Sequence, residues 1–189
     1  MDAFLLSFGV IFVAELGDKS QLMALAFATR YKATTVLIGI TIATALVHAF
    51  SVVIGRVAAV NLPTAAINVG AGLAFLAFAA WTVRGDSLTT EEEARARQTT
   101  RAPIIAVGIA FFLAELGDKT MLATVTLATT EEMFGTWLGS TLGMVVADAI
   151  AIVIGKRLGA RLPERAVKVG AAVLFVAFGV LLILEGIRG

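Results

Sequence analysis

The chemistry in this chain is concentrated in one short motif that occurs twice. Glu15-Leu16-Gly17-Asp18-Lys19-Ser20 lies inside an apolar stretch and returns as Glu115-Leu116-Gly117-Asp118-Lys119-Thr120. Positions three apart on a helix share a face, so Glu15 can act with Asp18, and Glu115 with Asp118. Four such carboxylates offer up to eight oxygens, the ligand type preferred by hard divalent cations such as Ca²⁺, Mg²⁺ and Mn²⁺. The chain has no cysteine and one histidine, His48, which disfavours soft metals and rules out thiolate chemistry. Lys19 and Lys119 follow the glutamates at i+4, a favourable spacing for ion pairs, and read as charge balance. Two lysines against four acids leave two negative charges over, which one dication or two protons can neutralise. Metal and protons should therefore compete for the same groups. Ser20, Thr120 and Gln21 add neutral oxygens. Gly17 and Gly117 either admit a close backbone or loosen the helix so that carbonyls join the ligand set.

A second tier of polar residues lies further along. Thr41, Thr44, His48 and Ser51 fall on one helical stripe, and Thr141 and Asp148 take the places of Thr41 and His48 in the second half. Asp148 has no charged partner in sequence. Gly39, Gly55, Gly139 and Gly155 suit close helix packing, and Trp81 and Trp137 suit interfacial anchoring. The plainer reading of the motif is an inert salt-bridge network that fixes helix packing. It explains poorly why a costly acid excess occurs twice, since each charged residue at the centre of a membrane helix costs about 2.5–3.5 kcal/mol.

The elements that must hold these residues are apolar. Hydrophobic residues make up 59% of the 189 and charged residues 15%, against about 45–50% and 25% in soluble domains. Six segments of about twenty or more residues, the length needed to cross a bilayer, run near 3–28, 34–58, 64–84, 103–128, 133–156 and 165–187. The first has no basic leader and carries Glu15, Asp18 and Lys19, so it reads as a retained helix rather than a signal peptide.

An offset of one hundred residues holds well beyond the motif. Gly39 matches Gly139, Val53-Ile54-Gly55 matches Val153-Ile154-Gly155, Leu62-Pro63 matches Leu162-Pro163, and Phe75 and Phe78 match Phe175 and Phe178. The expected fold is an all-α membrane protein of six transmembrane helices, built as two inverted three-helix repeats with a shared site near the midplane. Repeat 1 is 1–84, a charged linker is 85–102, and repeat 2 is 103–189. The linker, with Glu91, Glu92, Glu93, Arg95 and Arg97, reads as solvated and partly helical. Arg30, Lys32, Arg84, Arg95, Arg97, Arg101, Lys156, Arg157, Arg161, Arg165 and Lys168 fall on the linker side, and only Arg56 and Arg188 on the other. The linker should therefore be cytoplasmic and both termini outside.

The doubled motif resembles the E-x-G-D-[KR]-[ST] signature of the Gdt-type cation/proton exchangers, which include Golgi, chloroplast and bacterial manganese or calcium transporters. The resemblance covers nearly the whole chain, and the short linker is similar to that of prokaryotic members. It implies a secondary transporter of the inner (plasma) membrane that exports Mn²⁺ against protons, with a Ca²⁺/H⁺ exchanger as the alternative. Glu15, Asp18, Glu115 and Asp118 would be the metal-binding and proton-coupling acids, and Lys19, Lys119, Ser20 and Thr120 the remaining motif positions. No cofactor is implied, since the metal is substrate. The expected partners are the divalent cation, protons and the lipid bilayer, with a homodimer allowed and no nucleic acid. An intramembrane lipid-phosphate enzyme would need arginine or a phosphate-binding loop beside its acids, and no Arg lies near the motifs. A passive channel would pass metal without protons.

Overall fold

The computed structural model describes residues 2–84, 87–97, 101–158 and 164–188. Arg161 and the Leu162-Pro163 pair of the repeat lie outside the described residues, as do the side chains of Arg97, Lys156, Arg157, Arg165 and Lys168. Among the described residues there are nine helices and no strand. They are α1 (Ala3–Glu15), α2 (Lys19–Ala28), α3 (Ala33–Asn61), α4 (Thr64–Arg84), α5 (Thr90–Arg97), α6 (Pro103–Glu115), α7 (Lys119–Thr130), α8 (Met133–Leu158) and α9 (Glu164–Arg188). Among the described residues four stretches are long and apolar enough to cross a membrane: Ala33–Asn61, Thr64–Arg84, Met133–Gly155 and Val169–Arg188.

The first and fourth apolar segments are not single helices. Each breaks at its motif into two short ones, and the break has a local cause. Leu16 is extended (φ −62°, ψ 119°), Gly17 has φ +76°, and the Asp18 amide donates to the Glu15 carbonyl at 3.1 Å. That is the pattern of a type II turn, which needs φ > 0 at its third residue and so selects glycine. Leu116 (φ −65°, ψ 113°), Gly117 (φ +79°) and the Asp118 amide to Glu115 carbonyl bond (3.2 Å) repeat it. These glycines therefore open the helix, as the second of the two expected roles required, and they do so through a turn.

Packing partners exchange between the halves. α1 packs on α8 and α6 on α3, while α7 packs on α3 and α2 on α8. α4 lies along α9, and α3 crosses α8. Residues one hundred apart meet where the halves face each other. The Thr44 hydroxyl lies 3.3 Å from the Met144 sulfur, and the Phe75 and Phe175 rings are 5.9 Å apart. Phe78 and Phe178 complete that aromatic cluster between α4 and α9.

In lipid, helices associate through close contact and polar bonds rather than through expulsion of water. Small residues mark the seams accordingly. A Cβ on Gly139 would fall 2.3 Å from the Phe4 carbonyl oxygen, and one on Gly143 would fall 2.6 Å from that of Phe8. Gly55 approaches the Val125 carbonyl equally closely (2.3 Å), Gly39 meets Ile104 and Val107, and Gly155 meets Leu25. All four glycines read from the sequence as packing positions are packing positions. Trp137 ties α8 to α3 by donating its indole N–H to the Ala45 carbonyl at 2.9 Å.

The linker also differs from expectation. α5 is docked on α2 and α6 rather than solvated all round, with Ala96 and Glu92 buried. Its start is a capping box. Glu92 accepts from the Thr89 amide (2.7 Å), and the Thr89 hydroxyl accepts from the Glu92 amide (3.2 Å).

These contacts make the glycine positions separable by experiment. Gly139→Ala should destabilise the purified protein in detergent by about 1–3 kcal/mol, because α1 must move off α8. Gly117→Ala has space around it but should cost about 1–2 kcal/mol through its left-handed backbone. Gly70→Ala, with nothing within 4 Å, should leave the thermal unfolding midpoint unchanged or raised. Equal midpoints for all three would contradict both the seam and the turn.

Candidate functional site

The two helix breaks place the motif acids at helix ends. Glu15 closes α1 and Glu115 closes α6, while Asp18 and Asp118 occupy the N-cap positions of α2 and α7. The shared helix face expected for each acid pair is thus replaced by the two sides of a turn. An N-cap aspartate ordinarily accepts from its own helix, but neither Asp18 nor Asp118 makes a side-chain cap bond. Their carboxylates turn to the opposite half instead. Lys119 donates to Asp18 Oδ1, and Lys19 Nζ lies 3.6 Å from Asp118 Oδ1. The expected i+4 pairs of Lys19 with Glu15 and Lys119 with Glu115 do not form, because the helix ends between the partners. The lysines therefore join the two halves rather than balance charge within each.

The glutamates are left in a different condition. Glu15 is 0% exposed and Glu115 1%. Neither oxygen of Glu15 has a hydrogen-bond partner, and Glu115 keeps one bond, from the Thr120 hydroxyl at 2.7 Å. Asp18, Glu115, Asp148 and Lys119 all lie close enough to act electrostatically on Glu15. Asp148 is fully buried with both oxygens unpartnered, and it lies within electrostatic reach of Asp18 and of both glutamates. It joins the cluster and raises the acid count to five, so the excess over the two lysines becomes three.

The neutral residues sort unevenly. The Ser20 hydroxyl reaches Asp18 only at 3.5 Å. Gln21 accepts from the Gly17 amide (2.8 Å) and donates to the Ala147 carbonyl (3.0 Å), so it braces the turn against α8 next to Asp148. In the second half Met121 takes that place, its sulfur 3.1 Å from the Gly117 amide. Thr41 bonds to Leu37 of its own helix, and Thr141 is buried without a bond. His48 is fully buried with both ring nitrogens unpartnered.

Among the described residues no three Asp, Glu or His side chains converge closely enough to hold one metal ion. The eight-oxygen shell expected from sequence is not assembled among the described residues, and lysines pair with the two aspartates. Glu92 was not singled out by the sequence reading. Its Oε1 lies 3.4 Å from Lys19 Nζ. Burial would push its carboxyl up, but the Thr89 bonds and the Lys19 ammonium outweigh this and hold it below the ordinary glutamate range. The signal that could have found it is the Thr89-x-x-Glu92 capping box, which fixes where a helix starts.

An ionised carboxylate buried without donors or a counter-charge is costly enough that it takes up a proton or a cation. The arrangement therefore suits reversible uptake of protons or a hard dication.

Comparison with known proteins agrees. The family described as "Divalent cation/proton antiporter GDT1" matches over residues 3–90 and 103–189. A Vibrio cholerae protein named "Putative manganese exporter" is 35% identical over 179 residues, covering 93% of this chain and 88% of the relative. The GDT1-like protein sll0615 of Synechocystis is 31% identical over 198 residues, covering 95% and 96%. The chloroplastic GDT1-like protein 2 of Oryza sativa is 34% identical over 207 residues, covering 94% and 59%. No solved structure matches the chain. The chain is a transporter rather than an enzyme, a multi-pass membrane protein that uses no cofactor, and it belongs to the GDT1 family of divalent cation/proton antiporters.

Proposed function

We propose that this protein exports Mn²⁺ from the cytoplasm in exchange for protons, through a carboxylate site shared by its two halves near the membrane midplane. The observation that carries the proposal is the pair of buried glutamates, Glu15 and Glu115. They sit at helix breaks with three oxygens unpartnered, beside aspartates already tied to lysines.

In this reading α1–α2 and α6–α7 each act as one broken span, which brings the total to six. Repeat 1 is 1–84, the linker 85–102 and repeat 2 is 103–189, with the second repeat inverted. The exchange of packing partners between halves supports this, as do the Thr44–Met144 and Phe75–Phe175 contacts. Discontinuous helices meeting at a repeat interface are a recurring way to build ion sites in secondary transporters. The linker lies in the cytoplasm and both termini outside the plasma membrane, as the Lys and Arg distribution requires. One chain supplies both halves of the site, so transport needs no second copy, and a homodimer is compatible with it.

A dication entering from the linker side would be held by Glu15, Asp18, Glu115 and Asp118. To bind it, the aspartates must release Lys19 and Lys119, and a cation's charge is what makes that exchange affordable. Protons arriving from outside would neutralise the glutamates and expel the metal. Ser20, Thr120 and Gln21 would steady the turns, and Asp148 would add a further proton-holding group. In this reading the buried Thr141 and His48 and the partly buried Thr41 are polar groups of the crossing helices rather than ligands. The manganese named for the Vibrio relative favours Mn²⁺, and all-oxygen ligands leave Ca²⁺ as the second reading.

The test is metal uptake into proteoliposomes under an imposed pH gradient, with Mn²⁺ and Ca²⁺ compared. The parent protein should accumulate Mn²⁺ only when the gradient is present. Glu15→Gln and Glu115→Gln should each reduce exchange to the level of empty liposomes while the protein still inserts. Normal exchange by the double variant would refute the site, and metal flux indifferent to the gradient would indicate a channel. For orientation, a cysteine replacing Glu91, whose side chain is 83% exposed, should resist an impermeant thiol reagent in intact cells and react after permeabilisation. Ready labelling in intact cells would reverse the topology.

A further inference from the structure

α3 and α6 lie side by side and leave an apolar groove of about 420 Å³ between them. Its walls carry Ile42, Leu46, Ile105 and Ile109, each at least 50% exposed. The two helices run in the same direction. Gly39, in the second turn of α3, meets Ile104 and Val107 in the first turn of α6, and beyond that contact Leu46 and Leu113 line one groove. From Ile104 to Leu113 the groove follows α6 for about 13 Å. That is close to the depth of one leaflet, half of a hydrocarbon core of about 30 Å.

The other half of the chain shows what opens it. In α1, Phe8 sets a ring against Phe4 and Phe12, with centroids 6.1 and 5.9 Å away. In α6 the corresponding residue is Gly108, which sets nothing between Ile104 and Phe112, and all three line the groove. A Cβ on Gly108 would meet the Gly39 carbonyl oxygen at 3.6 Å, an ordinary contact, so the seam itself does not require glycine there.

The helix starts differ in charge as well. Lys32 is the N-cap of α3 and Arg101 lies two residues before α6, so both stand at the linker end of the groove. Both are exposed, and among the described residues neither forms an ion pair. At the corresponding helix starts of the other half stand Asp2, the N-cap of α1, and Glu132, just before α8, within electrostatic reach of each other. The groove thus opens where the helix starts are basic, and the ladder of rings begins where they are acidic.

We propose that this groove binds an anionic phospholipid of the linker-side leaflet: one acyl chain lies between α3 and α6, and its phosphate is held by Lys32 and Arg101. Apolar walls alone take any acyl chain. Basic residues at the mouth select a negatively charged headgroup. A chain that fills the groove packs against Phe112 and Leu113, in the last turn of α6, which ends at Glu115. The inference uses the topology proposed above only to set these helix starts at a membrane surface, and it depends neither on the metal nor on exchange.

The test is native mass spectrometry of the protein in neutral detergent, titrated with phosphatidylglycerol and phosphatidylcholine of the same acyl chains. The parent should bind phosphatidylglycerol more tightly, by roughly tenfold or more. Lys32→Gln and Arg101→Gln should each weaken that binding about fivefold and leave phosphatidylcholine unchanged. Lys32 makes no side-chain cap bond, so its replacement leaves the start of α3 intact. Gly108→Phe should displace both lipids, and the two charge variants carry the test even if it does not fold. Equal affinity of the parent for the two lipids overturns the proposal. So does phosphatidylglycerol binding that survives Lys32→Gln with Arg101→Gln, or that persists in folded Gly108→Phe. The same spectra report mass, and a parent dimer that Gly108→Phe dissociates would give the groove to a second copy instead. Equal lipid affinities beside proton-coupled Mn²⁺ movement would remove the lipid site and leave the exchanger. Selective lipid binding without such movement would do the reverse.

Discussion

Lys19 and Lys119 each cross to the aspartate of the opposite half, and the rest of the site follows from that crossing. Each repeat alone would hold two acids and one lysine on a broken helix, an arrangement with no stable place in hydrocarbon. Crossed, the lysines neutralise Asp18 and Asp118 and bind the halves at the level of the motifs. They also leave Glu15 and Glu115 without a cationic hydrogen-bond partner. One motif thus carries two kinds of carboxylate. The aspartate is engaged with a fixed charge, and the glutamate can be satisfied only by something that comes and goes.

The broken helices are the second half of the same constraint. Unpaired backbone cannot face lipid and survives at membrane depth only where protein covers it. Here the covering is specific. The Gly17 amide is taken by Gln21, which is itself anchored on the Ala147 carbonyl of α8. The close approach of α8 to α1 at Gly139 and Gly143 keeps that anchor in reach. Packing glycines, braced turn and exposed helix ends are one device, in which tight seams permit an opened backbone.

Much of this was legible in the sequence, because a repeat at a fixed offset is read without knowing any structure. The offset identified the equivalent acids and the packing glycines, and it matched Phe75 to Phe175 without showing that the two rings meet. It could not show that the helix stops inside the motif. Glycine between two acids fits a close approach as well as a turn, and only the positive φ of Gly17 and Gly117 decides. The i+3 and i+4 expectations then failed together, since both assumed a continuous helix from Glu15 to Lys19. Asp148 was visible as an unpaired intramembrane acid, but its nearness to Glu15 depends on how α8 crosses α1. Glu92 was hidden by composition. A run of Glu and Arg reads as solvated, and one buried member of that run is set by docking of α5.

The two halves are duplicates whose differences matter as much as their likeness. Gly143 lets α8 meet the Phe8 backbone, whereas the corresponding position in α3 is Ala43. Beside Ala43, α3 and α6 border a groove of about 420 Å³, lined by Ile42, Ala43, Ile109 and Phe112 among others. Gln21 braces one turn, while Met121 offers the other only a sulfur. Asp148 places a carboxyl group where His48 stands in the other half. For an inverted-repeat carrier of the kind proposed, two identical halves would make its inward and outward states equal in energy. These substitutions remove that equality. The inequality is written in a few side chains around an otherwise repeated frame, and it would bias which state the empty carrier prefers, while the direction of exchange would follow the two ion gradients.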